Sequence, residues 1–402
     1  MQAEIILRFC KRPARPVWLS AVLLICILPV SAQQGGNAEM AAVKVHQVGA
    51  GGASTIFSFY NTTPESPDGS TIAYVRCIDE PSGDGDDKRA PAELWVCDRD
   101  LKQHRKVAEI AGTAAHNGVE AQWIDNDRIA LFDSGSVRLI SVLTGKDLLK
   151  RKIKADGMGH NPFANKILYN IYTNDGRGEP GIYELDCNTQ QVSLVLRVRD
   201  CAKARFPDYL KKEDFKPVAE WRALHTQYSP DGKKIAFRLD AGNSTHAKLL
   251  GICNIDGTGL KVMTKSLHFF WYDNKSIVGH LQVDSTGNRP DPFEKRFSLT
   301  RWDTSGKIVQ EMMAPRGNHL AMSPDRKLVA SESFYQTNPV VLKLYETGHP
   351  ETGVTITSFD PYGVTWKRRF HANPAFSRDG KRIYFSRPLN EKYNGTFYCE
   401  IE

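Results

Sequence analysis

The stretch HFFWYDNKSIVGH, residues 268 to 280, carries two histidines at equal distances from the polar turn DNK. Apolar runs on both sides of a turn of this composition predict a β-hairpin. In that hairpin His268 and His280 face each other across the strands, with Cβ atoms about 5 Å apart. Two imidazoles at this spacing are able to bind a metal ion or an anion, or to act only as structural residues.

An internal repeat sets these histidines in a larger pattern. SPDGSTIAYVR at 66, YSPDGKKIAFRL at 228, MSPDRKLVASES at 322 and FSRDGKRIYFSR at 376 each join a polar turn to a short β-rich strand, and degenerate copies begin at 123, 162 and 271. Seven units of about 40 to 65 residues, most continuing into further strands, are typical of a β-propeller. We therefore predict an all-β fold, a seven-bladed β-propeller of four-stranded antiparallel blades. Residues 42–49 are expected to supply the missing strand of the last blade.

Residues 1–32 have the composition of a secretory signal peptide rather than of a membrane anchor. Four basic residues precede the apolar run VWLSAVLLICILPV, and VSA ends at Ala32 in a small-residue cleavage pattern. The apolar run is too short to span a bilayer comfortably. We expect residues 33–402 to form a single propeller domain that is secreted or periplasmic and does not insert into a membrane.

The net charge narrows the class of partner that the protein is expected to bind. The formal net charge of +7 suits an acidic ligand but is well short of a nucleic-acid-binding tail, so no nucleic-acid partner is expected.

Six of the eight cysteines follow the leader, and most fall late in short strands. Export permits disulfides, but this placement favours small buried residues between sheets.

Six of the eleven histidines lie where repeat units begin. They are His116, His160, His225, His268, His319 and His371. Because the first strand of a propeller unit is innermost, these side chains are expected to converge on the mouth of the central funnel. A single histidine at a strand start is usually structural, whereas a cluster over adjacent units favours a metal site. We predict that His225, His268 and His280 bind a zinc-like or manganese-like ion, with His319 as a fourth ligand or a substrate contact.

A long insertion lies between the third and fourth units. It reads RVRDCAKARFPDYLKKEDFKPVAEWRALH and carries Arg205, Tyr209 and Arg222 to the neighbourhood of His225. Connections of this length inside a compact domain are usually functional. The alternative interpretation is a solvated basic loop.

A basic funnel that bears histidine and tyrosine favours β-elimination on a uronate polysaccharide. The proton at C5 of a uronate becomes acidic once an arginine or a metal ion neutralises the neighbouring carboxylate. A histidine or tyrosine then removes that proton, and another protonates the departing O4. Hydrolysis would need two paired carboxylates, and no such motif stands out near the funnel.

Three segments carry a resemblance to a known family. FYNTTPESPDGSTIAYVR, ELWVCDRD and AHNGVEAQWIDNDRIALF resemble the opening units of the seven-bladed propeller ulvan lyases. More distantly, the chain resembles the propeller oligogalacturonate lyases, and its repeat resembles that of TolB-type propellers. The resemblance implies a polysaccharide lyase that acts on ulvan, with a zinc ion held largely by histidines near the cleft.

The resemblance also implies roles for individual residues. The catalytic set would be His116, His160, Tyr209 and Arg222, where His160 stands in for a second histidine that the stretch FDSGSVR lacks. The metal ligands would again be His225, His268 and His280. Apart from the resemblance, we predict that Arg205, Asn117 and His319 contact the substrate.

Two other functions remain open at this point. The first is a non-catalytic TolB-like propeller that binds a protein or an acidic glycan at its funnel. The second is a degenerate lyase that still binds acidic glycan but has lost its base, which the missing histidine in FDSGSVR would explain.

Overall fold

The computed structural model describes most of the chain between residues 44 and 401. The described residues are 44–49, 51–57, 61–79, 90–113, 118, 120–133, 135–153, 155–172, 176, 178–204, 212–242, 247–282, 297–313, 318–333, 338–360, 371–390 and 392–401. The predicted leader lies outside them. Four residues predicted to act on substrate also lie outside them: His116, Asn117, Arg205 and Tyr209.

The described strands form seven four-stranded antiparallel blades, which confirms the predicted seven-bladed propeller. The chain begins with β1 (Val45–Val48), which belongs to blade 7. Blade 1 contains β2 (Thr55–Ile56), β3 (Thr71–Cys77), β4 (Ala90–Asp98) and β5 (Arg105–Thr113). Blade 2 contains β6 (Gln122–Trp123), β7 (Arg128–Asp133), β8 (Ser136–Ser141) and β9 (Asp147–Lys152). Blade 3 contains β10 (Gly157–Met158), β11 (Lys166–Ile171), β12 (Gly181–Asp186) and β13 (Val192–Arg197).

Blades 4 and 5 are joined into one seven-stranded sheet. It contains β14 (Arg222–Tyr228), β15 (Lys234–Asp240), β16 (Lys248–Asn254), β17 (Lys261–Asp273), β18 (Ser276–Gln282), β19 (Phe297–Asp303) and β20 (Ile308–Met313). The first half of β17 pairs with β16 and its second half pairs with β18, so one strand serves both blades.

The last two blades complete the ring. Blade 6 contains β21 (Leu320–Met322), β22 (Leu328–Glu332), β23 (Val340–Glu346) and β24 (His349–Phe359). Blade 7 contains β25 (Ala375–Phe376), β26 (Arg382–Pro388) and β27 (Asn394–Glu400), together with β1. The register Val45–Cys399 to Val48–Thr396 confirms that a strand within residues 42–49 closes the propeller.

Besides a 3₁₀ residue at Ala247, helical structure in the described residues is limited to short segments between blades 3 and 4. They are α1 (Val198–Cys201) and two 3₁₀ turns, Lys212–Asp214 and Val218–Glu220. Within the described part of the chain, no helix is long and apolar enough to cross a membrane.

Apolar side chains on both faces of the strands explain the packing. The described core divides into seven apolar clusters, and each joins two neighbouring blades. In β17, for example, Phe269 packs with blade 4 while the next residue, Phe270, packs with blade 6. Alternation along a strand therefore buries both faces, as expected for a sheet covered on both sides. All six cysteines in the described residues are buried and outside disulfides, in agreement with the small-residue interpretation.

The SPDG repeat closes the turn between the first and second strands of a blade. In four blades the serine hydroxyl donates a hydrogen bond to the aspartate two residues later, as Ser66 does to Asp68 at 2.6 Å. The fourth residue of each motif has a left-handed backbone, with φ between 65° and 74°. We call the side of the propeller that bears these turns the turn face, and the opposite side the histidine face.

The closing strand gives a test of the fold. Val48 is fully buried between blades 7 and 1. We expect Val48→Ala to lower the free energy of unfolding by about 1 to 3 kcal/mol, because it removes buried methyl groups and leaves a cavity. Urea denaturation measures this change, with the exposed Lys44→Ala as the control. Equal stability of the two variants would mean that β1 contributes nothing to closure.

Candidate functional site: a row of histidines on the propeller axis

Five histidines stand within or beside the innermost strands of blades 3 to 7. They are His160, His225, His268, His319 and His371, and His280 on β18 joins them. We call these six residues the histidine row. Their ring centroids are 5.7 Å apart for His160 and His225 and for His225 and His268, 4.6 Å for His268 and His319, and 4.3 Å for His319 and His371. Equivalent positions in five blades thus converge on the axis at the histidine face.

Two of these histidines lie where the pairing of neighbouring strands is irregular. The pairing of β14 with β15 shifts between Leu224 and Gln227, and His225 within that shift has φ +51°. The pairing of β17 with β18 shifts between Ser266 and Phe269, where His268 lies. Bulges of this kind redirect side chains and are common beside functional sites. Histidine is also among the residues that tolerate the left-handed backbone better than most.

The hairpin of blade 5 has the register expected from the sequence. Phe269 pairs with Gly279 and Trp271 pairs with Ile277, so His268 and His280 lie opposite each other. Their ring centroids are 6.0 Å apart. Gly279 is required here, because a Cβ atom at this position would lie 2.7 Å from the carbonyl oxygen of His268.

Burial lowers the pKa of three imidazoles of the row and favours their neutral form. His280 is 1% exposed, and burial lowers its pKa to about 3, with a further contribution from His319. Burial likewise lowers the pKa of His160 to about 4 and holds the pKa of His268 well below its usual value. Neutral imidazoles keep a lone pair, so these side chains are suited to binding a metal ion or to accepting a proton.

A buried carboxylate completes one end of the row. Glu332, at the end of β22, is 1% exposed, and its Oε1 lies 2.9 Å from Nδ1 of His319 and 2.8 Å from Nδ1 of His371. Burial alone would raise the pKa of this carboxyl, but the two histidines outweigh burial and hold the pKa well below its usual range. Burial lowers the pKa of His319 even so.

These three side chains form a possible metal site. One ligand atom from each of His319, Glu332 and His371 lies within 4.8 Å of the others, and among the described residues this is the set that meets that condition. Two imidazoles and a carboxylate are ligands that zinc and manganese accept. The predicted trio His225, His268 and His280 is brought together as well, with neighbouring rings 5.7 and 6.0 Å apart.

Glu332 was missed in the sequence, although a signal for it exists. Both Glu332 and His280 are the fifth residue of the second strand of their blade. His319 and His268 likewise both lie three residues before the aligned Met322 and Trp271. The symmetry that pairs His268 with His280 in blade 5 therefore pairs His319 with Glu332 in blade 6. Blade 4 has Arg238 at the same position.

An arginine and a tyrosine lie together above the interface of blades 3 and 4. Arg222, the first residue of β14, is exposed, and its guanidinium carbon is 5.8 Å from the ring centroid of Tyr172. Tyr172 directly follows β11, and Gly157 leaves room for its hydroxyl, because a Cβ there would come within 3.0 Å of that oxygen. Burial and the carboxylate of Glu120 raise the pKa of Tyr172, so its hydroxyl stays protonated at neutral pH.

His160 links this pair to the histidine row. Its backbone N–H donates to the carbonyl of Thr226, and its Nε2 lies 3.5 Å from Nδ1 of His225. His160 is 6% exposed, whereas His225 is half-buried. Arg222 is exposed, and His225 and Tyr172 are half-buried, so solvent reaches these three groups.

Solved structures with the same architecture include two lyases. An oligogalacturonate lyase in complex with manganese is 15% identical, with a TM-score of 0.61 over 90% of this chain and 99% of that chain. An oligogalacturonate lyase from Vibrio parahaemolyticus is 12% identical, with a TM-score of 0.61 over 90% and 94%. A chain of the mitotic checkpoint complex is 13% identical, with a TM-score of 0.53 over 95% and 99%. At these identities the similarity shows a shared β-propeller fold. No protein-family model and no curated protein matches the chain.

The depressed histidine pKa values give a prediction on stability. An unfolded histidine takes up a proton near pH 6.5, whereas His280 in the folded protein does so only near pH 3. The unfolded state therefore binds more protons between these values, so stability is full above about pH 6.5 and is lost as the pH falls through that window. We expect His280→Asn to make the melting temperature of metal-free protein less sensitive to pH between 7 and 4.5.

The exposed His349→Asn serves as the control for this experiment. Its melting temperature should show the same pH dependence as the unsubstituted protein. An unchanged pH dependence in His280→Asn would show that His280 is not held neutral by the fold.

Proposed function

We propose that the protein is an exported polysaccharide lyase that cleaves an acidic, uronate-containing polymer by β-elimination at the histidine face. The observation that carries the proposal is the exposed Arg222 beside the protonated hydroxyl of Tyr172, next to the histidine row. The manganese-bound oligogalacturonate lyase of the same fold supports it. Export rests on the predicted leader at residues 1–32.

The chemistry follows from the groups on the histidine face. Arg222 binds the uronate carboxylate and stabilises the negative charge that develops when the C5 proton leaves. A neutral imidazole accepts that proton, and the half-buried His225 is the member of the row that solvent reaches. The C5–H electron pair forms the C4–C5 double bond, the C4–O4 bond breaks, and Tyr172 donates its proton to O4. Tyr209, His116 and His160 remain candidates from the sequence for the same proton transfers.

A divalent ion belongs to the same proposal. His319, Glu332 and His371 would hold it, because they offer an ionised carboxylate and imidazole nitrogens in a buried site. When bound, such an ion supplies a positive charge that polarises a substrate carboxylate. The set His225, His268 and His280 is the alternative location, and zinc and manganese are the ions to test first.

The substrate is expected to be ulvan or a related uronate polymer. The resemblance of the first two units favours ulvan, whereas the solved structures of the same fold favour polygalacturonate as the second polymer to test. A binding propeller without turnover is the second candidate function, because most of the histidine row is buried.

The proposal is tested by ultraviolet absorbance during incubation with ulvan, polygalacturonate, alginate and heparan sulfate. β-Elimination creates an unsaturated uronate that absorbs in the ultraviolet, whereas hydrolysis and binding create none. We expect an increase with one polymer. Stabilisation by a polymer without any increase would support the binding propeller and would overturn the lyase.

Substitutions at the histidine face test the roles of the two residues. We expect Arg222→Ala to lower kcat/KM by about 10²- to 10³-fold, because the developing charge loses its partner. We expect Tyr172→Phe to lower kcat by about 10²-fold or more with little change in KM, because only the proton donor is lost. Tyr183→Phe in the same blade is the control. Full activity of Tyr172→Phe would assign the donor to another residue, with Tyr209 next.

Metal content tests the location of the ion. We expect Glu332→Gln to weaken metal binding by at least about tenfold, because the anionic ligand is lost. Elemental analysis after dialysis and the metal-dependent rise in melting temperature measure this, with the exposed Glu109→Gln as the control. Loss of the ion in His225→Gln, with full retention in Glu332→Gln, would place it in the predicted trio instead.

A further inference from the structure

A cavity lies on the axis at the turn face, on the opposite side of the propeller from Arg222. Its volume is about 440 Å³, and the residues that line it come from the ends of the inner strands and the turns of blades 1, 3, 4, 5, 6 and 7. Cavities of this size hold small molecules rather than polymers. None of the groups assigned to β-elimination lines it.

Two arginines line this cavity, and both depart from the repeat. Arg326 takes the place of the last glycine in SPDG, and Arg378 takes the place of the proline. Arg326 keeps the left-handed backbone of that position, with φ +65°, while Gly69, Gly232 and Gly380 occupy it in other blades. A non-glycine residue there costs free energy. Arg326 therefore has a strained backbone at the position where its side chain lines the cavity.

The lining of the cavity carries positive charge, and the carboxylates that act on it, Glu65 on Arg378 and Asp273 on Arg326, lie outside the lining. Among the described lining residues there are two arginines and no aspartate or glutamate. Arg326 donates to the carbonyl of Trp271 at 3.3 Å, and Arg378 donates to the carbonyl of Glu65 at 3.3 Å. The carboxylate of Glu65 instead accepts the hydroxyl of Tyr384 and the backbone N–H of Arg378, each at 2.7 Å.

Burial makes the charge of Arg326 costly. Arg326 is half-buried, and burial lowers the pKa of its guanidinium. Its guanidinium donates to a carbonyl oxygen and lies 5.6 Å from the ring centroid of Tyr272, and a partly desolvated cation in these surroundings gains from an anion brought into the same space. The arrangement thus suits a ligand with at least one negative group.

The other residues that line the cavity indicate which kind of molecule carries that negative group. Phe163, Phe270, Trp271 and Phe376 line the cavity, and Asn61 and Asn161 stand among them. Flat aromatic walls with a few hydrogen-bonding groups suit a ring with an apolar face and several hydroxyls. A bare inorganic anion would leave these walls unused.

We propose that the axial cavity at the turn face binds a single acidic sugar unit, with its carboxylate between Arg326 and Arg378 and its ring against the aromatic wall. The site is separate from the histidine face and does not require that elimination occur there. It would let the protein bind a free uronate at a second position.

Isothermal titration calorimetry with galacturonate and glucuronate tests the proposal. The measurement is made on Arg222→Ala protein, so that the arginine of the histidine face does not contribute. We expect saturable binding of at least one uronate, weakened about tenfold or more by Arg326→Gly and by Arg378→Gln. Arg378→Gln keeps the backbone N–H that Glu65 accepts, which proline would remove. The exposed Arg105→Gln, on the outer strand of blade 1, is the charge-matched control.

Stability separates loss of binding from loss of the fold. Arg326→Gly restores the glycine of the repeat at φ +65°, so its melting temperature should stay equal or rise while binding falls. Unchanged uronate affinity in this variant would overturn the proposal. Equal affinity for inorganic sulfate, or for galactose and glucose, would overturn the assignment to an acidic sugar.

Discussion

Pairing of β1 with β27 closes the ring, and the other contacts of the propeller depend on that closure. A four-stranded blade with two apolar faces cannot bury both of them alone. Its faces are buried only when a neighbour stands on each side, and the seven apolar clusters show that every blade has two. The convergence of the inner strands on one axis is a property of the closed ring. The histidine row therefore exists only when the first and last segments of the chain meet.

In seven similar blades, equivalent positions can each hold a polar side chain near the axis. The start of the inner strand and the end of the second strand lie together at the histidine face, so a residue at either position points toward the axis. Blade 5 places His268 and His280 there, and blade 6 places His319 and Glu332. The repeat thus supplies several nearly equivalent sites, and the side chains at those sites decide which of them can hold a cation.

Periodic features of the structure were predictable from the sequence, whereas contacts between blades were not. The repeat defined the blades, the closing strand and the hairpin register, because each depends on local turns and alternation. Glu332 was missed because a single glutamate in a strand resembles a residue on a solvated outer strand. Tyr172 was missed because its partner, Arg222, lies far along the chain in the next blade. Comparison of strand positions among repeats would have found the first but not the second.

The continuous strand β17 limits which insertions the fold can tolerate between blades 4 and 5. Other blade junctions pass through connecting segments, where residues can be added with little effect on the sheets. Between blades 4 and 5 one strand runs from Lys261 to Asp273 and belongs to both. Adding one residue there would reverse the facing of every side chain beyond it. Divergence in ligand preference is therefore open to the loops around blades 3 and 4, while the position of His268 relative to β16 of blade 4 stays fixed by the continuous strand.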